Sequence, residues 1–120
     1  MGKEKKWKNA DLIETFEMYA RAYFGGKLRR PVRLVFAPIE GLGRTARYRT
    51  PGRRRNNKTD RFGIQISSRL RFSRRLWATT LLHEMVHLEQ CNRYGCGVRG
   101  KRFNRRMKEL ATAGAFDGMW

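Results

Sequence analysis

The chain has 120 residues, 28 Lys and Arg against 10 Asp and Glu, and a formal net charge of +18. One domain is the expectation at that length, and a composition that is 40% hydrophobic and 12% aromatic supplies a core, which excludes a disordered basic tail. There is no apolar run of about 18 residues to cross a membrane, and the start Met1-Gly2-Lys3-Glu4-Lys5-Lys6-Trp7 lacks both the apolar stretch of a secretory signal and, with Lys6, the Ser or Thr of a myristoylation motif. A soluble cytoplasmic protein is therefore expected.

In chain order, Asn9 is read as the N-cap of a helix over Ala10–Phe24. Leu12, Ile13, Phe16, Tyr19, Ala20 and Tyr23 form its apolar stripe, and Gly25-Gly26 ends it. Val32–Phe36, after Pro31, alternates as a strand does. A second strand is expected over Arg44–Arg49, with Ala46 and Tyr48 on one side. Thr50-Pro51-Gly52 opens a loop that runs through Asn56-Asn57 to Asp60. Phe62, Ile64 and Ile66 alternate strictly and predict a third strand.

Ser73 is read as the cap of a long helix, Arg74–Arg93, with Gly95 just beyond it. A last helix, Lys101–Ala113, places Phe103, Met107 and Leu110 on one face. Phe116 and Trp120 are expected to fold back on the core. The order is helix, small three-stranded sheet, long helix, helix. It predicts an α+β fold with helices on one face of the sheet, a single domain over 1–120 and a monomer.

The positive charge argues about partners rather than fold. Arg outnumbers Lys 20 to 8, and guanidinium forks bind phosphate oxygens and stack on bases. From Gly41 to His83 there are 12 basic residues and one acid, Asp60. The basic loop, at about 44–60, carries Arg44, Arg47, Arg49, Arg53, Arg54, Arg55 and Lys58, with Tyr48 among them as a base-stacking candidate. These seven cations are the expected nucleic-acid contacts, with DNA favoured. The bland alternative is a solvated basic loop. The two cysteines, Cys91 and Cys96, are expected to be reduced thiols, because no export signal precedes them.

Both histidines lie in one pentapeptide, His83-Glu84-Met85-Val86-His87. On a helix the i, i+4 spacing brings two imidazoles to one face, about a turn apart, where both can reach one metal ion. Glu84 points about 100° away around the helix, beside a metal-bound water rather than on the metal. Zinc lowers the pKa of such a water from about 15.7 towards 7, and a carboxylate there accepts its proton as the oxygen attacks a carbonyl. Chance would produce this pattern from two histidines roughly once in a thousand arrangements. Ala78, Leu81, Met85 and Leu88, widened by Leu82 and Val86, form an apolar arc opposite the histidines. Leu76, Thr79, Thr80 and Gln90 share the histidine side and are expected to line a cleft.

Catalytic zinc usually takes three protein ligands. Arg93, six residues past His87, stands where metzincins place a third His. Cys91 shares the histidine face but lies about 12 Å along an intact helix from His83. Cys96, past the helix end, is the better sulfur candidate. Glu109, on the last helix, is the carboxylate candidate, and Glu89 faces away from the pair.

These residues resemble the SprT-like, or Spartan, family of zinc metallopeptidases over most of the chain. The matching segments are Ala22-Tyr23-Phe24-Gly25-Gly26-Lys27-Leu28, Phe62-Gly63-Ile64-Gln65-Ile66-Ser67-Ser68-Arg69-Leu70 and Thr80-Leu81-Leu82-His83-Glu84-Met85-Val86-His87. The later Gly100-Lys101-Arg102-Phe103 matches a His-Gly-x-x-Phe element except at its first position, where this chain has Arg99. The resemblance implies a zincin-like fold without the family's C-terminal zinc ribbon. It implies His83 and His87 as zinc ligands, Glu84 as catalytic base, and cleavage of proteins on or near DNA. The His that it would make the third ligand is replaced by Arg99, and a guanidinium does not ligate zinc. Either another group completes the site, or the scaffold is a catalytically degenerate nucleic-acid-binding protein.

Overall fold

The computed structural model describes residues 6–26, 28, 30–48, 61–94 and 100–116. Its elements are α1 (Asn9–Tyr23), β1 (Arg33–Ala37), β2 (Gly43–Tyr48), β3 (Arg61–Ser67), a 3-10 turn (Ser68–Leu70), α2 (Arg74–Tyr94) and α3 (Lys101–Thr112). This is a small α+β fold, and its helices and strands lie within a residue of the expected positions; the 3-10 turn has no counterpart in the sequence reading. The basic loop from Arg49 to Asp60, Trp120 and the segment from Gly95 to Arg99 lie outside the described residues.

The sheet order is β1-β3-β2, so the last strand in sequence is the central one. β1 runs parallel to β3, with Leu34 beside Ile64 and Phe36 beside Ile66. β2 runs antiparallel, with Thr45 opposite Ile64 and Gly43 opposite Ile66. Ile64 and Ile66 are fully buried, which fixes the register, because a one-residue slip would turn both out of the core.

Hydrophobic burial seats α2 against β2 and β3. Ala78, Leu81, Leu82, Met85 and Val86 are all 0% exposed, as the apolar arc predicts, and so is Trp77, which the arc did not include. Trp77 meets Trp7 and Phe36 edge-on at 5.6 and 6.1 Å between ring centroids, the arrangement that aromatic quadrupoles favour. Trp7 is fastened there by a reciprocal pair: its N–H donates to the Arg71 carbonyl at 2.9 Å, and Arg71 Nε donates to the Trp7 carbonyl at 3.0 Å.

The start of α1 differs from the expectation. The Asn9 side chain does not cap the helix; its Oδ1 accepts the Phe36 N–H at 2.9 Å and ties the helix to β1. Asp11 does the local work instead, accepting the Lys8 N–H at 2.8 Å. At the other end Gly25 and Gly26 have φ of 63° and 69°, and the Gly26 N–H reaches back to the Ala20 carbonyl at 2.9 Å. Only glycine takes consecutive left-handed positions without strain.

Arg106 fastens α3 to the rest. Its Nε donates to Glu89 Oε1 at 2.8 Å, another nitrogen donates to the Tyr23 carbonyl, and the guanidinium lies 4.9 Å from the Phe24 ring centre. Phe116, beyond α3, is buried as the tail reading expects. Among the described residues no helix is long and apolar enough to cross a membrane.

Candidate metal centre

His83 and His87 lie in the middle of α2 on its half-buried side. Their Nε2 atoms are 3.1 Å apart. Two nitrogens each bound at 2.0–2.1 Å to one tetrahedral ion stand about 3.3–3.4 Å apart, so a small ring rotation suffices to share an ion. Together with Glu84 they form a group that can hold a metal, with one ligand atom from each within 4.8 Å of the others.

Phe103, on α3, covers the pair. Its ring stacks on His87 with centroids 4.4 Å apart and meets His83 edge-on at 4.8 Å. This packing restricts both imidazoles and fixes where their nitrogens converge. Burial lowers the pKa of His83, which favours the neutral imidazole, the form that binds metal.

Glu84 is 5% exposed. Its Oε1 accepts a hydrogen bond from the Thr45 hydroxyl at 2.9 Å, and its Oε2 lies 4.0 Å from His83 Nε2. Burial raises its pKa, and the Thr45 bond partly opposes that rise by favouring the carboxylate. The strand carrying Thr45 sits very close to α2. A Cβ on Gly43 would lie 2.6 Å from Thr80 Cγ2 and 3.0 Å from Glu84 Cγ. That approach corrects one expectation about the histidine side of α2. Thr80 and Gln90 do not line an open cleft but are 9% and 6% exposed; Thr80 is covered by the glycine of β2.

The candidate third ligands fare differently. Glu109 is not part of the group. It is exposed, and its Oε2 takes a bond from Arg106 at 3.3 Å. Glu89, as expected, is engaged elsewhere, with the same guanidinium. Cys91 is disulfide-bonded, not the reduced thiol expected. A sulfur in a disulfide is not the thiolate that ligates zinc, so Cys91 adds no ligand. Cys96 and Arg99 lie outside the described residues.

Of the expected nucleic-acid contacts, Arg44 is exposed on β2. Strand alternation directs it to the face opposite Gly43 and Thr45, away from Glu84. The backbone of Arg47 pairs with Phe62. Arg49, Arg53, Arg54, Arg55 and Lys58 lie outside the described residues.

Two contributors to the site were not read from the sequence as such. Apolar spacing puts Phe103 on a helix face, and only the resemblance of Gly100-Lys101-Arg102-Phe103 to a metal-site element hints that this face meets the imidazoles. Thr45 belonged to a strand, and nothing local says which helix residue a strand residue will face. For Thr45 the one available signal was alternation: with Ala46 and Tyr48 on one side, Gly43 and Thr45 share the other.

Comparison with protein-family models, with curated proteins and with solved structures finds no match to this chain.

Proposed function

We propose that this chain is a zinc-dependent endopeptidase that acts on proteins bound on or near DNA, with a zincin-like, SprT-like frame. The observation that carries the reading is the convergence of the His83 and His87 Nε2 atoms, 3.1 Å apart, beside a buried carboxylate. The donor set of two imidazoles suits zinc. Zinc, when bound, supplies the positive charge that acidifies water and polarises a carbonyl.

The chain's own residues do the rest. Glu84 takes one proton from the attacking water as its oxygen bonds to the carbonyl carbon. It returns that proton to the leaving nitrogen as the C–N bond breaks, leaving a carboxylic acid, which keeps the water's second proton, and an amine. A peptide substrate fits the surroundings. Among the described residues β2 pairs on one side only, and an edge strand offers backbone groups to an extended chain.

Polyanion contact is supported by the corner where α2 begins. Arg69, Arg74 and Arg75 are exposed there, beside an exposed Phe72. Lys6 and Lys8, also exposed, flank the Trp7 that is bonded to Arg71.

Purified protein is expected to carry about one zinc per chain and to hydrolyse an unfolded protein substrate. Glu84→Gln should lower the rate about 10²- to 10⁴-fold while leaving the zinc content unchanged. DNA affinity should fall steeply with salt, as phosphate-bound counterions are released. Background zinc after reconstitution overturns the enzyme reading. A salt-independent interaction overturns the DNA reading. A second reading, a catalytically degenerate nucleic-acid-binding protein, is favoured by Arg99 and by the engagement of Glu109 with Arg106. Salt-dependent DNA binding without zinc or hydrolysis is its signature.

A further inference from the structure

We propose that Thr45 is a positioning residue that decides whether Glu84 acts as a base or as a metal ligand. The inference rests on the hydrolytic reading above for its kinetic consequence only. Glu84 has three side-chain torsions, and its carboxylate lies in the same 4.8 Å group as the two imidazoles. Left to itself, such a carboxylate can swing onto an ion between the histidines. A carboxylate bound to the ion is not free to take a proton from water.

Thr45 opposes that swing from the other side. Its hydroxyl has one proton and two acceptors in reach, Glu84 Oε1 at 2.9 Å and the Glu84 carbonyl at 3.4 Å. The shorter, carboxylate bond is the stronger one. Oε1 is thereby held towards β2. Oε2 is left 4.0 Å from His83 Nε2, near the nitrogens without occupying the point between them.

Gly43 makes this bond possible. Gly43 and Thr45 face the same way on β2, two residues apart. Gly43 is needed for space, since a Cβ there would also lie 3.2 Å from Glu84 Oε2. The absent side chain lets the strand approach α2 until the hydroxyl of Thr45 reaches Oε1. The buried partners of these residues on β3, Ile66 and Ile64, lock the register that aligns them. Gly43-Arg44-Thr45 is thus one device, a gap followed by a donor.

The test compares Thr45→Val, Thr45→Ser and Thr45→Val with Glu84→Gln, each loaded with Co²⁺ and, separately, with zinc. Cobalt absorption reports the ligand set without any turnover. Thr45→Val removes the donor at nearly constant volume. Its cobalt spectrum is expected to change as Glu84 joins the ion, and its kcat to fall about 10- to 100-fold with KM within about threefold. Thr45→Ser should restore both. In the Glu84→Gln background Thr45→Val should leave the spectrum unchanged, which separates positioning from general loosening of the fold. A Thr45→Val protein with the parent spectrum overturns the proposal, as does a spectral change that persists without the Glu84 carboxylate. If the spectra behave as expected but no variant, including the parent, cleaves protein, the hydrolytic reading fails and the positioning role stands.

Discussion

Glu84 and Glu89 stand five residues apart on α2, and both are nearly sealed from water, at 5% and 8% exposure. Their surroundings differ in one respect. Glu89 is paired with Arg106 at 2.8 Å. Among the described residues no Lys or Arg pairs with Glu84; its partners are the Thr45 hydroxyl and, at 4.0 Å, an imidazole. In so basic a chain, a buried carboxylate with no cation beside it among the described residues is conspicuous. Burying a charge is costly unless it is paired. Glu89 shows the structural solution, in which a guanidinium satisfies the carboxylate and fastens two helices together. On the proposed hydrolytic reading, the uncharged partner of Glu84 leaves its carboxylate able to exchange a proton.

If that contrast is right, the two pockets respond oppositely to substitution. The largest effect belongs to the structural one. Arg106→Ala leaves Glu89 buried without its cation and also removes the bond to the Tyr23 carbonyl and the contact over Phe24. The loss is expected to be about 3 kcal/mol in denaturant unfolding. A loss below about 1 kcal/mol would mean that water already serves Glu89, and the contrast would collapse.

A smaller effect is expected when both partners are replaced. Glu89→Leu combined with Arg106→Met removes the charge and its need for a partner together. Most of the lost stability should return, leaving the double variant within about 1 kcal/mol of the parent. If instead the double variant is as unstable as Arg106→Ala, the bond to Tyr23 rather than the ion pair holds α3.

How far the sequence could be read follows from the same residues. The helices and strands were legible because apolar periodicity is local, and the arc from Ala78 to Leu88 is long enough to define one face. The metal group was legible because i, i+4 spacing fixes the separation of His83 and His87 without reference to any other element. The carboxylate's setting was not. Whether Glu84 meets a guanidinium or a hydroxyl depends on which residue β2 presents to α2. That depends on the pairing of Thr45 with Ile64, across a separation that no local pattern spans. Asn9 failed for a related reason. Its type suits an N-cap, but a strand N–H from Phe36 was a competing donor that only the folded chain brings near. The sulfur reading failed because compartment reasoning predicted thiols, whereas Cys91 is in a disulfide.

The smallest effect is also the one with the clearest direction. Burial raises the pKa of Glu84 above its ordinary value of 4.5, so the folded, metal-free chain binds a proton there more readily than the unfolded chain. As pH climbs from 4.5 through the folded value, the unfolded state loses its proton first, and stability falls through that window. Above the window the full penalty of the buried charge is present; below it, none. Glu84→Gln keeps an oxygen to accept from Thr45 and removes the charge. In metal-free protein it should therefore raise the melting temperature modestly at pH 7, and the gain should vanish as pH falls below 4.5. His83, whose burial works in the opposite direction, is common to both proteins. Glu89→Gln, which removes the buried charge facing Arg106 and leaves that guanidinium only Glu109 as an ionic partner, should lower the melting temperature at pH 7. A Glu84→Gln variant that also melts lower at pH 7 would show that its carboxylate is held as firmly as that of Glu89, and that α2 carries two structural acids rather than one structural and one reactive.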